Sequence, residues 1–443
     1  MNSPQSSLDN NKIKKTLRFS LIDGIFASGM LGFTQDYFTP FLLLQGGSSR
    51  QVGLLNALPN LFASLVQAKS ADLTARLKSR KKMFSIFAFL HALMLLPLSA
   101  MAFLHVTNAY LFILIIILFA SFMAISGPPW ASLMSDLVHE SKRGEYFGWR
   151  NRIFGFTIVS MTFIAGVILY FMKKINAFYG FGIIFLCAFL FRLISWYYLT
   201  RMHEPHLEHK KEDSFTIFDF ISRIRESNFA KFVLFVSLMN FSVNLVSPFF
   251  SVLMLRDLSF NYLTYTFVTI TATFTLYATM SRWGRHADKV GNVKIIRLTS
   301  RLVSILPLLW VINQHPAYLF VIQVMAGFAW SGFNFCASNF IYDAVTPEKR
   351  TRCIAYFNVF NGLALCFGAM LGGFIVGKLP NIFGYKILTL ALISSILRIL
   401  VSLIMSDKIK EVRVVDGIRN NRLFFSMIGV KPILGGEQKT SPY

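Results

Sequence analysis

Long apolar runs recur along the chain of 443 residues, separated by short polar segments. An apolar helix needs about 20 residues to cross the hydrocarbon core of a bilayer. The pattern therefore predicts an all-α polytopic membrane protein. The runs, numbered spans 1 to 12, lie near 19–44, 51–70, 83–103, 110–135, 153–172, 178–200, 229–255, 262–281, 295–312, 317–338, 355–378 and 384–405.

The composition excludes other classes of protein. Hydrophobic residues make up 54% of the chain and charged residues 15%, against about 25% charged residues in soluble proteins. The four cysteines form no C-x-x-C pair, so we expect neither a disulfide framework nor a metal site. The sequence also contains no Gly-Lys-Ser/Thr phosphate loop, and we expect no cofactor and no ATP-driven step.

The basic residues are distributed unevenly between the two sides of the predicted membrane. Of the 44 Lys and Arg residues, 36 fall in segments on the side of the N-terminus and six in segments on the opposite side. Cytoplasmic loops retain Lys and Arg. The net charge of +23 is therefore interpreted as membrane orientation, with both termini cytosolic, and not as nucleic-acid binding.

The polar segments divide the chain into five parts. We expect a cytosolic N-terminal segment over 1–18, a six-helix bundle over 19–200, a cytosolic linker over 201–228, a second six-helix bundle over 229–405 and a basic cytosolic tail over 406–443. In the linker, apolar residues recur at three-residue steps from Phe215 to Ile224. This spacing predicts an amphipathic helix on the membrane surface.

The two halves repeat each other at an offset of 207 residues. Shared composition would not preserve Asp, Arg and Asn at one fixed spacing, so we predict a duplicated six-helix unit. Duplicated halves are typical of secondary transporters, whose binding site lies near the midplane between them. The matching residues are Asp136, Lys142, Arg143, Asn151, Gly155 and Gly166 in the first half and Asp343, Lys349, Arg350, Asn358, Gly362 and Gly373 in the second.

The loop between spans 8 and 9 contains a recognisable motif. It reads Gly-Arg-His-Ala-Asp-Lys-Val-Gly-Asn-Val-Lys from Gly284 to Lys294. This resembles the major facilitator superfamily signature G-x-x-x-D-(R/K)-x-G-x-x-(R/K). The first-half equivalent from Ala68 to Lys82 departs from it, because Ala68 replaces the first glycine and the basic residues come late.

The resemblance implies the two-bundle fold of that superfamily and a gating role for these loops. They would hold the cytosolic side closed in the outward-open state, with an Asp accepting hydrogen bonds at a neighbouring helix end. The alternative is a solvated charge cluster that only enforces topology. The gating candidates in the two loops are Asp72, Arg76, Gly284, Asp288, Lys289, Gly291 and Lys294.

Ionisable residues within spans are costly and need a partner or a task. The repeat preserves an acid near the inner ends of spans 4 and 10 and an arginine within spans 6 and 12, so we predict the pairs Arg192–Asp136 and Arg398–Asp343. Arg143 and Arg350 are competing partners. We expect a structural or gating role for these groups and for Asp23, whose repeat position holds Asn240; direct binding of an anionic substrate by the arginines stays open.

Asp36 has no counterpart in the repeat and no obvious arginine partner. It follows Gln35 and precedes Tyr37 on span 1, which the resemblance places along the transport cavity. Carboxyl groups in apolar cavities can take up and release protons near neutral pH, so we predict proton coupling or substrate contact here. The alternative is that the helix ends sooner and Asp36 meets outer water.

Five further residues are candidates for substrate contact. Asn240 and Asn244 lie one helical turn apart on span 7, as do Trp330 and Asn334 on span 10; each pair shares a face. Trp130 follows two prolines on span 4, which should kink that helix. Ordinary packing is the alternative for each.

The predicted function is secondary active transport of a small solute by alternating access, with proton symport favoured. Drug or metabolite efflux by proton antiport and facilitated uniport are alternatives; the absence of proline from span 5 disfavours efflux, since the resembling drug antiporters carry Gly-Pro there. A transporter-like receptor or a membrane enzyme is more distant, because no catalytic cluster is present. We expect a non-enzymatic monomer in the bilayer of a bacterial inner membrane.

Overall fold

The computed structural model describes residues 4–138, 143–204, 227–345 and 347–413. These residues form helices joined by short loops, with no strand among them. The predicted amphipathic helix falls within 205–226, and most of the predicted tail lies beyond residue 413. Both therefore lie outside the described residues. We use "inner" for the side of the molecule on which residues 4 and 413 lie, and "outer" for the other.

Each predicted span of the first half coincides with a helix or a pair of helices. A short additional helix, Ser70–Leu77, follows span 2 on the inner side. The helices are Pro4–Thr34 with Phe38–Leu44 for span 1, Ser49–Gln67 for span 2, Arg80–Leu93 with Leu95–Phe103 for span 3, Ala109–Leu137 for span 4, Arg143–Met172 for span 5 and Ala177–Thr200 for span 6.

The second half repeats this order. Span 7 is interrupted between Asn244 and Ser247 and ends in a π-helical turn, Leu253–Asp257. The helices are Asn228–Asn244 with Ser247–Val252 for span 7, Tyr262–Val290 for span 8, Asn292–Ile312 for span 9, Pro316–Ala344 for span 10, Pro347–Ile375 for span 11 and Lys386–Met405 for span 12.

Nine helices of the described chain are long and apolar enough to cross a membrane, namely those of spans 3 to 7 and 9 to 12. Spans 1, 2 and 8 are helical but are not among the nine. The all-α membrane fold is confirmed. Membrane crossing by these three spans, and with it the full count of twelve, stays a prediction.

Polar residues at the span boundaries explain where several helices begin. Asn108, Asn176 and Asn261 each accept a hydrogen bond from a backbone N–H of the following first turn. Ser48 and Gln51 form a reciprocal capping box at the start of span 2. Such caps satisfy N–H groups that have no partner within the helix, so these helices begin sharply.

The two halves pack in the same pattern, as a duplication requires. Span 1 packs against spans 5 and 6, and span 7 packs against spans 11 and 12. Span 4 packs against spans 2 and 3, and span 10 packs against spans 8 and 9. The bundles meet mainly where span 2 contacts span 11 and where span 5 contacts span 8.

The apolar core differs between the two sides of the molecule. On the outer side one continuous cluster joins both bundles, with Phe41 of span 1 and Phe249 of span 7 among its fully buried members. On the inner side each bundle has its own cluster, built around Phe84 in the first half and Phe333 in the second. The bundles are therefore closed against each other on the outer side.

Two glycines bring spans 2 and 11 into close contact near their outer ends. A Cβ atom at Gly53 would lie 2.7 Å from the carbonyl oxygen of Ala369 and 3.1 Å from the Cα of Gly373. Backbone therefore meets backbone across this interface. A larger side chain at Gly53 would force the bundles apart, because the atoms it meets belong to the rigid main chain.

Candidate functional site

The site is built around an interruption of span 1. The helix stops at Thr34 and resumes at Phe38. Tyr37, which is fully buried, donates a hydrogen bond of 2.5 Å to the carbonyl of Thr162 on span 5. Its hydroxyl also lies 3.0 Å from Oγ1 of Thr266 on span 8. The side chain of Tyr37 is thus held by both bundles at once.

The neighbouring residue is also tied to the second bundle. The hydroxyl of Tyr265 on span 8 donates a 2.8 Å hydrogen bond to the backbone carbonyl of Asp36. The same hydroxyl lies 3.2 Å from Oγ of Ser251 on span 7. Because Asp36 and Tyr265 belong to different halves, separation of the bundles on the outer side must break this hydrogen bond.

A cavity of about 280 Å³ opens where the interruption meets the second bundle. Asp36 is its sole lining residue from the first half. The volume lies near the lower end of the ~300–1,000 Å³ range of ligand sites, so the cavity fits a small solute. The lining residues with polar or aromatic side chains are Asp36, Ser247, Phe250, Ser251, Tyr265, Thr269, Trp310, Gln323, Trp330 and Arg398.

The carboxyl group of Asp36 is half-buried at this cavity. Within the described residues it forms no ion pair and accepts no side-chain or backbone hydrogen bond. Its neighbour Gln35 is exposed and does not line the cavity. Of the three adjacent candidates on span 1, Asp36 therefore lines the cavity, Tyr37 joins the bundles and Gln35 does neither.

Arg398 of span 12 also lines the cavity and is 3% exposed. Its Nε donates to Oγ of Ser394 at 3.1 Å. Its two terminal nitrogens donate to the carbonyls of Val303 at 3.2 Å and Val243 at 3.3 Å. A guanidinium group has five N–H donors, so two remain. No carboxylate among the described residues lies within ion-pair distance.

The arginine at the equivalent place in the first bundle has a different environment. Nε of Arg192 donates to Nδ1 of His91 at 3.0 Å, and one terminal nitrogen donates to Oγ of Ser195 at 2.7 Å. The Ser195 hydroxyl in turn donates to Oδ1 of Asp23 at 2.6 Å. All four residues are buried. A carboxylate thus offsets the charge of Arg192 through one bridging hydroxyl.

A further buried arginine, Arg150, was not identified from the sequence, where it fell among the predicted cytosolic charges. It is 6% exposed. Its guanidinium lies 4.5 Å from the ring centre of Trp130 and 4.3 Å from that of Phe154, and it donates to the carbonyl of Ser20 at 3.1 Å. The helix of span 4 continues through both prolines, and Trp130 packs against Arg150.

The predicted pairing of the repeated acids is wrong. Asp136 accepts a 2.5 Å hydrogen bond from Arg80 at the start of span 3, not from Arg192. Eight residues separate Arg192 from the inner end of span 6, a rise of about 12 Å, whereas Asp136 lies at the inner end of span 4. Arg80, a basic residue at the same depth as Asp136, therefore pairs with it in place of Arg192.

The predicted pair Arg398–Asp343 of the second half is also not formed. The carboxylate of Asp343 accepts a 2.8 Å hydrogen bond from Nη2 of Arg413, which follows span 12, and also lies 2.8 Å from its Nε. It accepts another hydrogen bond, of 2.7 Å, from Asn292. The Asp343 carboxylate raises the pKa of Arg413 above its ordinary value. Arg398 is not its partner. The side chains of the competing candidates Arg143 and Arg350 lie outside the described part of the structure.

Two further acids at the inner ends were missed, although they also stand 207 residues apart. Glu204 accepts from the backbone N–H of Arg80 at 2.7 Å, and Glu411 accepts from that of Val293 at 2.8 Å. Each carboxylate thereby caps the third helix of its own bundle, where the helix dipole favours negative charge. The repeat offset was the signal that could have identified them.

The signature loop is explained partly by backbone geometry. Gly291 has a φ of +85°, a conformation that L side chains rarely adopt. The side chain of Asp288 is 74% exposed and lies 3.6 Å from Arg413. Gly284 faces the ring of Phe335, where a Cβ would approach to 3.1 Å. The latch role of the loop stays a prediction.

The remaining charged candidates of the two loops lie at the inner surface. In the first half, Asp72 forms a largely exposed 3.8 Å ion pair with Lys69, and Arg76 is exposed. In the second half, Lys289 is exposed and Lys294 is half-buried. None of them lines the cavity, so any gating role would operate through the inner loops alone.

The amide candidates are not brought together. Asn240 donates to Oδ1 of Asn361 on span 11 at 2.7 Å, and Asn244 donates to the backbone carbonyl of Asn240 at 3.2 Å. Asn334 is exposed. Neither these amides nor Trp130 line the cavity, whereas Trp330 does. Of the candidates identified from the sequence, Asp36, Trp330 and Arg398 line the cavity.

Comparison with known proteins agrees with the bundle geometry. The sequence model of the Major Facilitator Superfamily matches residues 24–300 and 231–434. These matches together take in most of the chain, and the protein belongs to this superfamily of membrane transporters. It is thus an integral multi-pass membrane protein that handles a small-molecule substrate. No curated protein matches the sequence.

Solved transporter structures share the fold at low sequence identity. A variant of the nucleoside transporter NupG aligns with a TM-score of 0.70 at 13% identity, over 88% of this chain and 100% of its own. NupG itself gives 0.66 at 14% identity, over 90% and 99%. A bacterial homologue of the human lysosomal transporter Spinster, inward-facing and unoccupied, gives 0.61 at 13% identity, over 93% and 100%.

Proposed function

We propose that this protein is a proton-coupled secondary transporter that moves a small solute by alternating access, with symport as the favoured direction of coupling. The observation that carries the proposal is the position of Asp36. Its carboxyl group lines the cavity without an ion-pair partner among the described residues. We also propose that the protein acts as a monomer in a bacterial inner membrane.

The surroundings of Asp36 supply a reason for coupling. Its backbone carbonyl accepts a hydrogen bond from Tyr265 of the other bundle, and the adjacent Tyr37 joins spans 5 and 8. A change of charge on Asp36 would act directly on the contacts that close the outer side. Protonation and bundle movement are then linked in free energy, which is the requirement for coupled transport.

The test is uptake into proteoliposomes. A thermal-stability screen of the purified protein with sugars, amino acids, nucleosides, organic anions, peptides and cationic drugs would first provide a ligand, because a ligand at a hundred times its Kd adds about 2.7 kcal/mol of stability. Uptake of that ligand is then compared with and without an imposed proton gradient. We expect an inwardly directed proton gradient to drive accumulation.

Two variants separate the role of Asp36 from a general effect of charge. Asp36→Asn should keep counterflow exchange of the ligand and lose the response to the proton gradient. Asp407→Asn removes a largely exposed inner acid beyond span 12 and should leave the response intact. Uptake by the unmodified protein that does not respond to the proton gradient would indicate a uniporter. Accumulation driven by an outwardly directed proton gradient would indicate an antiporter. Binding without uptake would indicate a receptor.

A further inference from the structure

The two bundles treat their buried arginines differently. Arg192 is joined through Ser195 to a carboxylate, Asp23. Arg398 contacts Ser394 and two backbone carbonyls, and no described carboxylate lies within ion-pair distance. A buried charge without a partner is strongly unfavourable. The second bundle therefore contains a cation that still has two N–H groups to donate and lines a cavity.

The walls of the same cavity are suited to an apolar, planar group. Phe250 stacks on Trp310 with ring centres 4.3 Å apart, and both line the cavity together with Trp330. The hydroxyls of Ser247 and Thr269 and the amide of Gln323 add hydrogen-bonding groups. Aromatic walls with a few polar groups and one charge are typical of a site that orients a small organic ion.

The outer surface carries charge of the same sign. The predicted outer segments contain six Lys or Arg residues and one acid, Asp257. Lys173 and Arg256 line a second cavity, of about 460 Å³, on the outer side where the halves meet; Arg256 is partly offset by Asp257 at 2.9 Å. Clefts lined by one sign of charge concentrate ligands of the opposite sign.

We propose that the transported solute is a small organic monoanion with a planar apolar group, whose anionic group binds Arg398. The inference rests on the proposed transport function and names its substrate class. The planar group packs against Phe250, Trp310 and Trp330. The anion accepts hydrogen bonds from the two N–H groups of Arg398 that have no described acceptor, in the bidentate geometry that a guanidinium offers to a carboxylate.

This assignment makes the charge of the cavity balance. Asp36 and Arg398 are the charged groups among the lining residues, and Tyr265 is the other titratable one. When a proton neutralises Asp36, the bound anion supplies the negative charge that Asp36 has lost. One proton and one anion thus enter together without adding net charge to the low-dielectric interior, and each favours binding of the other.

The test uses three probes that share one ring and differ in charge. Thermal melting of the purified full chain is measured with benzoate, benzamide and benzylamine, at about pH 6 and about pH 8, where exposed carboxylates stay ionised. We expect benzoate alone to raise the melting temperature, and to do so more at the lower pH. No stabilisation by benzoate, or equal stabilisation by benzamide or benzylamine, overturns the proposal without any variant being needed.

Three variants then locate the site. Arg398→Gln should weaken benzoate binding about 30-fold or more, and Arg398→Lys should retain part of it. Arg301→Gln, which removes an exposed arginine of span 9, should bind as the unmodified protein does. Benzoate binding that survives Arg398→Gln contradicts the proposal. If this variant fails to fold, Arg398→Lys decides instead: weakened benzoate binding supports the site at Arg398, and unchanged binding contradicts it.

The same data separate this inference from the proposed proton coupling. Benzoate stabilisation that depends on Arg398 but is equal at both pH values would support the anion site and contradict coupling at Asp36. A pH-dependent shift with benzamide, lost in Asp36→Asn, would support coupling and contradict the anion site. The two proposals therefore fail in different measurements.

Discussion

Arg192 and Arg398 are buried at related places in the two halves of this transporter and have different surroundings. In the first bundle a serine hydroxyl connects Arg192 to Asp23. In the second bundle the position of Asp23 holds Asn240, whose amide donates to Asn361 instead, and Arg398 is left with neutral partners. One arginine is part of the internal structure, and the other borders the cavity.

This difference shows how a duplicated fold can separate stability from function. Both arginines bind helices of their own bundle together, so the scaffold retains each of them. Replacing one aspartate by asparagine removes a single negative charge and leaves the steric arrangement almost unchanged. In the proposed mechanism, the cation of the second bundle is then available to a ligand. Two substitutions test this comparison, and two others test the ion pairs at the inner ends of the bundles.

The largest effect is expected when the first bundle is made to resemble the second. Asp23→Asn leaves Arg192 buried without a counter-charge, which should cost about 3 kcal/mol of unfolding free energy. Denaturant titration in detergent micelles measures this change. The matched control is Asn240→Ala, which removes one neutral hydrogen bond and should cost about 1 kcal/mol. Equal losses in both variants would contradict the comparison.

The inner ends provide a second contrast. Arg80 is 5% exposed and contacts Asp136 and Glu204. Arg80→Gln should cost about 2 kcal/mol of stability, because this buried position loses its charge and both acids lose their arginine partner. Arg76→Gln, in the exposed part of the same loop, should have no measurable effect on the denaturation midpoint. An Arg80→Gln variant with an unchanged denaturation midpoint would show that these contacts are not maintained in the membrane protein.

The reciprocal substitution makes the second bundle resemble the first. Asn240→Asp places a carboxylate in the second bundle at the repeat position of Asp23. The new acid should compete with a bound anion for Arg398 and weaken benzoate binding about tenfold, which is about 1.4 kcal/mol. Calorimetric titration measures the affinity. An unchanged affinity would mean that the carboxylate does not reach the guanidinium or that the anion binds elsewhere.

The smallest effect is expected at the junction with the tail. Arg413 pairs with Asp343 but is 37% exposed, so solvent screens the interaction and Arg413→Gln should cost about 0.5 kcal/mol. Hydrogen exchange at the start of span 9, where Asn292 shares the Asp343 carboxylate, would report the local loss. Lys410→Gln is the control, and equal exchange in both variants would assign no stabilising role to the ion pair.

The helical architecture could be predicted because hydropathy and length encode it directly. Each backbone polar group in lipid must be satisfied within a helix, so apolar runs are reliable markers of helices. The 207-residue offset likewise appears in the structure as two bundles with the same packing pattern. The sequence also drew attention to Asp36 and Trp330, since a charge or an indole on a cavity helix is conspicuous.

The side-chain partners could not be predicted in the same way. Pairing depends on depth along each helix and on which loops return to the bundle, and neither is encoded by residue spacing. Asp136 pairs with Arg80, at the start of a helix, and Asp343 pairs with Arg413, beyond the end of one. Arg150 lay in a segment counted as cytosolic, although the structure buries it against Trp130.

The glycine contact between spans 2 and 11 has a mechanical consequence. Gly373 lies against Gly53, and its repeat partner Gly166 lies against Thr266 of span 8. Each of the two interfaces between the bundles thus includes a glycine at which the helices approach closely. In the proposed alternating access, the bundles would tilt about the line that joins these two contacts. The hydrogen bonds between Tyr37 and Thr266 and between Tyr265 and Asp36 would have to break before the outer side opens.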